Sequence, residues 1–325
     1  MKKRESIPET DTEGIRKTFS LPKVLKIVNL NSKVPALGKM ISPVRIVSRL
    51  RILTSIAPRI PVYLIDETTM DRIYPPEKRR IFDEERLKRV IHDTREDYPV
   101  DDEKDIAVGV LDDRMESCRK ETEITAYFVA VGIYVRHVPN IDDLNLPPTH
   151  GPAIFITPER VGNWGEKHNI KREIIFDAVL YHELAHALMD DKKTSTPKTW
   201  WRNVIEESFA NAMSYSRFDS PEEKGSIIQC IQNQPVEYRG YSLFIEGMGS
   251  GNHFFSHPDP DIMFHELHYL MRRFGYFPYF NQIGGAPFFL WKKTKGSGWF
   301  KDKSDVTYVE NFWKQTALDI LREIV

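Results

Sequence analysis

The stretch that most constrains this chain is His182-Glu183-Leu184-Ala185-His186, in which two histidines are four residues apart. On an α-helix, residues at this spacing lie on one face, one turn apart, so both imidazole rings can bind a single metal ion. Glu183 lies beside them, where a carboxylate can act as the general base for a water molecule on that metal. The neighbouring residues 179–181 and 187–188 are apolar or aromatic, which is typical of a helix inside a protein. The pattern therefore predicts a zinc site on a buried helix.

A third ligand is expected on a second helix downstream. Residues 203–213 have apolar side chains at helical spacing and include the adjacent glutamates Glu206 and Glu207. Glu207 follows His186 by 21 residues and is the preferred candidate, with Glu206 as the alternative.

Together, the segments His182-Glu183-Leu184-Ala185-His186 and Glu207-Ser208-Phe209-Ala210-Asn211 resemble the HExxH plus ExxA(N/D) pattern of gluzincins, a branch of the zincin metallopeptidases. The ExxAN register selects Glu207, because only Glu207 is followed by alanine three residues on and by asparagine four residues on. The resemblance covers about residues 125–216, a third of the chain.

The resemblance implies a role for each matching residue. His182, His186 and Glu207 would be the protein ligands of one zinc ion, with a fourth position open for water, and Glu183 would be the general base. Asn211 stands where the family often has aspartate, and it would accept a hydrogen bond from a ligand histidine and so fix its ring. The implied activity is hydrolysis of peptide bonds in a peptide or protein substrate.

The expected fold class is α+β and zincin-like. It would comprise a twisted mixed sheet, an active-site helix, a glutamate-bearing helix and a mainly helical, aromatic-rich C-terminal part. We expect a basic N-terminal arm over residues 1–60 that is partly mobile, a zincin-like unit over 61–216 and a C-terminal part over 217–325 that completes the cleft. Strands are expected at 61–65, 106–111, 124–138 and 153–157, and helices at 44–56, 83–96, 222–234, 236–248 and 305–325.

Two local expectations concern the cleft. By the resemblance, Ala153–Thr157 would be the edge strand along the cleft and would pair with an extended substrate. Residues 162–169 are expected to form a loop, with Asn169 capping the start of the active-site helix.

Composition narrows the class of protein. An apolar share of 41% and a charged share of 29% are typical of globular proteins, and the longest apolar run, 126–135, is too short to span a bilayer. Two distant cysteines and the polar residues after Lys2-Lys3-Arg4 argue against a disulfide framework and a signal peptide, so we expect a cytoplasmic protein. Residues 1–60 hold 13 Lys or Arg against four Asp or Glu. The run 21–60 has no aromatic residues that could stack on bases, which argues against nucleic-acid binding. We expect this basic segment instead to dock on the acidic remainder of the chain.

Other interpretations remain open at this level. The chain could be a regulatory or scaffold protein that keeps a zincin shell and acts on one partner or on none, or His182 and His186 could be ordinary core histidines. His265-Glu266-Leu267-His268 imitates the motif, but its histidines are one residue too close and no third ligand is near. The group that stabilises an oxyanion above the metal is not determined; the candidates are His253, His257, Tyr215, Tyr238 and Tyr241.

Overall fold

The computed structural model describes residues 18–20, 24–30, 40–80, 82–97, 114–115, 117–118, 125–138, 151–189 and 200–244, together with 317, 320, 321 and 324. These residues form a mixture of α-helices and β-strands. The strands are β1 (Thr18–Ser20), β2 (Lys26–Asn29), β3 (Val62–Leu64), β4 (Glu77–Arg80), β5 (Thr125–Phe128), β6 (Gly132–Val135) and β7 (Ala153–Ile156). The α-helices are α1 (Pro43–Arg49), α2 (Glu67–Ile73), α3 (Glu84–Asp97), α4 (Pro158–His168), α5 (Arg172–Met189), α6 (Trp200–Tyr215) and α7 (Pro221–Gln232).

The main sheet has the strand order β1-β2-β3-β7-β6 and is mixed. Strands β2, β3 and β7 run parallel, whereas β1 and β6 are antiparallel to their neighbours. Strands β4 and β5 form a separate antiparallel pair. Because β7 lies between β3 and β6, all four of its residues are buried, and β6 forms the edge of the described sheet.

The strand at 153–157 was expected at the edge of the sheet, and this expectation is wrong. The run Ala153-Ile154-Phe155-Ile156 is apolar at every position, which is the pattern of a strand covered on both faces. Ile154 and Ile156 point into the large core with α5, while Phe155 stacks on Tyr63 in a smaller core on the opposite face. The edge position beside the active-site helix belongs to β6.

The segment 158–169 also differs from its expected loop. Pro158 occupies the first turn of α4, a position where its missing N–H costs nothing, and Val161 and Gly165 face the core. Asn169 adopts a left-handed conformation with φ 54° and ends α4, and its N–H donates to Glu166 O. It therefore caps the end of α4 and not the start of α5.

Two further predicted helices are shorter or of another type. The helix expected over 44–56 ends at Arg49; a 3₁₀ turn, Arg51–Ser55, follows, because Arg51 takes a positive φ of 46°. The described part of 236–248 consists of two 3₁₀ turns, Val236–Tyr238 and Gly240–Phe244. A β-carbon on Gly240 would overlap side chains of Ile320 and Ser208, so this turn packs closely on α6.

The helices predicted at 83–96 and 222–234 and the glutamate-bearing helix are present as α3, α7 and α6. Predictions that fall on residues 106–111 lie outside the described residues. Of the predicted C-terminal helix, four residues are described as helical, and Ala317, Ile320 and Leu321 among them are buried in the large core.

The described part of residues 1–60 is packed with the rest of the chain. Strand β2 pairs with β3, and Met40, Ile46, Leu50 and Leu53 are buried in the same core as α5. The cations of this segment meet acidic groups of the body, as the docking alternative expects, in the pairs Arg45 with Asp177, Arg49 with Glu223 and Arg51 with Asp219.

Candidate metal centre

Helix α5 carries the histidine motif along one wall of a groove. Its residues at positions 175, 178, 179, 182, 183, 186 and 189 all line the groove, and this spacing of three or four residues is that of one helix face. The stripe runs from Ile175 to Met189, which is 14 steps along the helix or about 21 Å at 1.5 Å per residue. Most other positions of α5 are buried against the sheet and the neighbouring helices. The packing therefore holds the motif face toward the groove.

Helix α6 runs antiparallel to α5 and brings the glutamate to the histidines. Three contacts define how the two helices are aligned. Ser214 Oγ donates to Ala178 O at 2.9 Å, the Asn211 side chain contacts His182, and the Glu207 carboxylate contacts His186. Of the two adjacent glutamates, Glu207 is the one whose carboxylate reaches both rings. Glu206 lines the same groove without joining that cluster among the described residues.

Three ligand atoms converge on one point between α5 and α6. His182 Nε2 lies 3.1 Å from His186 Nε2, and Glu207 Oε2 lies 3.2 Å from the first nitrogen and 3.4 Å from the second. A tetrahedral zinc ion with bonds of about 2.0–2.1 Å needs its donor atoms about 3.3–3.4 Å apart. The separations fit this requirement, and two nitrogens with one carboxylate oxygen are the donors of a catalytic zinc site with an open position.

Asn211 fixes the orientation of His182. Its Oδ1 lies 2.9 Å from His182 Nδ1, while its Nδ2 donates to Gln234 Oε1 at 3.0 Å and to Tyr238 O at 2.6 Å. With both amide hydrogens used, Asn211 can only accept from the ring. His182 Nδ1 therefore carries a hydrogen, and Nε2 is the ring nitrogen that faces the cluster. The hydrogen bond expected between Asn211 and a ligand histidine is present.

Glu183 lies next to the cluster and is only 8% exposed. Its Oε2 accepts a hydrogen bond of 2.7 Å from the backbone N–H of Tyr134 on β6. Burial raises the pKa of Glu183, against the opposing effect of the two histidines. A carboxylate with a raised proton affinity is a better acceptor of a proton, which is the property a general base requires.

His186 and Glu207 stabilise each other's charge within the cluster. Burial by itself lowers the pKa of His186, but the Glu207 carboxylate outweighs it and raises that pKa to about 9. Burial by itself raises the pKa of Glu207, but the histidines hold that pKa below its usual range. The N–H of a protonated His186 Nε2 can donate to Glu207 Oε2. A metal ion at this point would replace that proton.

The groove has a volume of about 540 Å³ and is closed on one side by β6. Toward the N-terminal end of α5, its walls are mainly apolar and come from α4, α5 and α7: Trp164, Ile175, Val179, Ile227 and Ile231. Around and beyond the cluster, the lining includes the polar groups of Arg136, Asn203, Glu206, Gln234 and Tyr238.

Strand β6 alternates its residues between two environments. Ile133 and Val135 pack against the small core, although Ile133 also borders the groove, whereas Gly132 and Tyr134 line the groove together with Arg136 just beyond the strand. A β-carbon on Gly132 would overlap Val179 and would come within 3.3 Å of Glu183 Cγ. Glycine therefore permits the strand to approach α5 closely.

The candidates for oxyanion stabilisation differ in whether they line the groove. Tyr238 lines the groove that contains the cluster. Tyr215 and Tyr241 pack against each other with ring centroids 5.0 Å apart, and neither lines the groove. His253, His257 and the tetrad at 265–268 lie outside the described residues.

Four groove residues were not singled out as site residues from the sequence: Gly132, Tyr134, Arg136 and Gln234. Gly132 carried a usable signal, because a glycine inside a β-rich run often marks a close backbone approach. Tyr134 acts through its backbone N–H, which every residue except proline has, and Gln234 joins the site only through the fold.

A buried ion-pair network supports α5 from behind. Asp177 is fully buried, and its carboxylate receives two hydrogen bonds from Arg45, at 2.6 and 2.9 Å. One turn further on, the Tyr181 hydroxyl donates to Ile46 O at 3.2 Å. Helix α1 is thereby fastened to the helix that carries the histidines.

Comparison of the chain with protein-family models, with curated protein sequences and with solved structures finds no match. Among the described helices, none is long and apolar enough to cross a bilayer.

Proposed function

We propose that this protein is a zinc-dependent peptidase in which His182, His186 and Glu207 hold one zinc ion and Glu183 is the general base. The observation that carries the proposal is the convergence of the three ligand atoms within 3.1–3.4 Å of one another, beside a buried carboxylate and inside a groove. On the same grounds we propose a zincin-like fold for the sheet and the two metal-binding helices.

The chemistry divides between the metal and the chain. Zinc bound in this way acts as a Lewis acid that activates a water molecule and polarises a carbonyl group. Glu183 accepts a proton from water held in the groove and later donates it to the leaving nitrogen of the cleaved amide. The Tyr134 N–H holds Glu183 Oε2, so Oε1 is the oxygen of this carboxylate left for the proton.

The form of the groove favours an extended peptide as substrate. Strand β6 borders the groove, and its outer edge has no paired strand among the described residues. Backbone groups of an edge strand can bind a peptide in the manner of an added strand, and here the Tyr134 N–H is already engaged by Glu183, so the other backbone groups of β6 would serve. This role, first expected for Ala153–Thr157, is now proposed for Gly132–Val135.

The same donor set also suits ferrous iron in oxygenases. The buried Glu183 favours hydrolysis, because a base beside the cluster serves to take a proton from water. If this protein binds the metal but cleaves a single partner protein at one site, the regulatory alternative applies.

The test combines metal analysis with a peptide-library screen. We expect the purified protein to contain close to one zinc per chain and to cleave library peptides. Glu183→Gln should keep the zinc and lose at least about 10³-fold in cleavage rate, the scale of an essential general base. Glu207→Gln should lose zinc, whereas the matched variant Glu206→Gln should retain it. Iron in place of zinc, or full activity of Glu183→Gln, would contradict the proposal.

A further inference from the structure

Gln234 lies two residues beyond the end of α7. It contacts Asn211, the residue that holds the ligand His182, and it also lines the groove. Its side-chain Oε1 accepts a hydrogen bond of 3.0 Å from Asn211 Nδ2, and the residue lines the groove wall. Its backbone is held by two further hydrogen bonds, from Gln234 N to Ile231 O and from Arg239 Nε to Gln234 O. The side chain is therefore presented from a fixed position.

The hydrogen bonds of Asn211 have only one consistent arrangement. The Tyr238 carbonyl can only accept, so the amide nitrogen of Asn211 must face it. The second hydrogen on that nitrogen then points to Gln234, whose oxygen must be turned toward it. Asn211 Oδ1 is left to accept from His182, so Nδ1 of the ring carries a hydrogen and Nε2 is the nitrogen that faces the cluster.

The opposite orientation of the Asn211 amide would disable the cluster. It would direct an N–H at His182 Nδ1 and would require the ring hydrogen on Nε2, the atom that has to bind the metal. An aspartate has no such ambiguity, because both of its oxygens accept. With asparagine at this position, the Tyr238 carbonyl excludes the flipped amide, which would place oxygen against oxygen there, and the Gln234 oxygen adds a second acceptor that favours the same orientation.

The amide nitrogen of Gln234 is available to a ligand. Its Oε1 is engaged by Asn211, and no acceptor for its Nε2 lies among the described residues. Since Gln234 lines the groove, its two N–H donors can reach a molecule bound there. A peptide backbone offers carbonyl oxygens as acceptors at every residue.

We propose that Gln234 links substrate binding to the metal ligand His182. Its Oε1 fixes Asn211 and hence the ring, and its amide N–H donates to a backbone carbonyl of a peptide in the groove. The second half of this inference rests on the proposed peptidase function. The first half concerns the metal-free protein as well, because the same hydrogen bonds hold His182 without a metal.

Two variants separate the two roles. Gln234→Glu keeps an acceptor oxygen for Asn211 but removes the N–H donors, and Gln234→Met keeps the size of the side chain but removes both functions. Three readouts apply: the ¹⁵N NMR shifts of the His182 ring in the metal-free protein, zinc affinity by chelator competition with zinc alone, and kcat and KM on a peptide that the wild type cleaves.

For Gln234→Met we expect a mixture of His182 tautomers and a zinc affinity lowered about 10- to 100-fold, the range typical of groups that support a metal ligand. Gln234→Glu should keep the Nδ1–H tautomer and bind zinc at least as tightly as the wild type. Both variants should raise KM about 3- to 10-fold through the loss of one hydrogen bond.

The positioning role is overturned if Gln234→Met retains both the wild-type tautomer and the wild-type zinc affinity. The substrate role is overturned if Gln234→Glu leaves KM unchanged. Failure of the proposed function would look different, because the wild type itself would then lack zinc or fail to cleave peptides. The His182 tautomer in the Gln234 variants would still test the positioning role in that case. A circular-dichroism melt of each variant shows that a changed readout does not come from unfolding.

Discussion

The backbone N–H of Tyr134 donates to the Glu183 carboxylate at 2.7 Å and so joins the edge strand β6 to the helix that carries both histidines. Two residues earlier, a β-carbon on Gly132 would lie 3.3 Å from Cγ of the same side chain and would overlap Val179. The position of the proposed general base therefore depends on how closely the strand approaches α5, and this approach depends on the absence of a side chain at Gly132.

Gly132→Ala should destabilise the protein by about 1–3 kcal/mol, the usual cost of forcing an extra carbon into a packed site. The added methyl group would overlap Val179 and push β6 away from Glu183. Urea denaturation measures the loss. Gly162→Ala is the matched control, because nothing lies within 4 Å of its β-carbon position in α4, and we expect it to be neutral or stabilising by up to about 1 kcal/mol. Equal effects of the two substitutions would contradict the close approach of β6.

The sequence predicted the part of the site that lies on helices. His182, His186 and Glu207 are separated by helical spacings and by one connection, so a residue pattern is enough to place them on facing helices. The contribution of β6 could not be read in the same way, because it comes from a backbone N–H and from a glycine. The order of the strands was also not encoded locally. A continuous apolar run such as 153–156 does indicate burial on both faces, and that signal contradicted an edge position.

The misplaced boundaries have local causes. Asn169 is a good residue both for starting a helix and for ending one in a left-handed conformation, and the sequence alone did not distinguish these roles. The break in the basic helix after Arg49 depends on a positive φ at Arg51, whose side chain pairs with Asp219 in a distant part of the chain. Such tertiary contacts are not visible in residue spacing.

Asp177→Asn should cost about 1.5–3 kcal/mol in the free energy of unfolding, the range for hydrogen bonds to charged groups, because Arg45 is partly exposed and its charge stays in contact with water. Asp177 is fully buried and receives two hydrogen bonds from Arg45. The matched control is Asp219→Asn, which breaks the exposed pair with Arg51 and should cost at most about 1 kcal/mol. Chemical denaturation of both variants checks the difference. If Asp177→Asn were as mild as its control, helix α1 would not be fastened to α5 in the way described.

Zinc affinity should rise with pH up to about pH 9 and then level off. The pKa of His186 is raised to about 9 in the metal-free protein, so below that pH the ring is protonated and zinc has to displace the proton. The affinity should therefore fall about tenfold for each pH unit below 9. Chelator competition between pH 6.5 and 9.5 measures the slope. An affinity that does not change between pH 7 and 9 would show that His186 is not a ligand that must lose a proton.

Cys230 should react very slowly with alkylating reagents in the folded protein, although it lines the groove. Burial raises the pKa of its thiol to about 12, so almost no thiolate is present at pH 8. We expect iodoacetamide to modify Cys230 at least about 100-fold more slowly in the folded protein than in urea. Mass spectrometry of the modified peptide gives the rates, and rapid labelling of the folded protein would show that this wall of the groove is open.

The most direct test of the metal site is an anomalous difference map, measured at the zinc absorption edge on crystals of the protein grown with zinc. The account predicts one strong peak at about 2.0–2.2 Å from His182 Nε2, His186 Nε2 and Glu207 Oε2, with no fourth protein ligand. A peak elsewhere in the molecule, or a fourth side chain closing the coordination sphere, would contradict a catalytic zinc centre at this point.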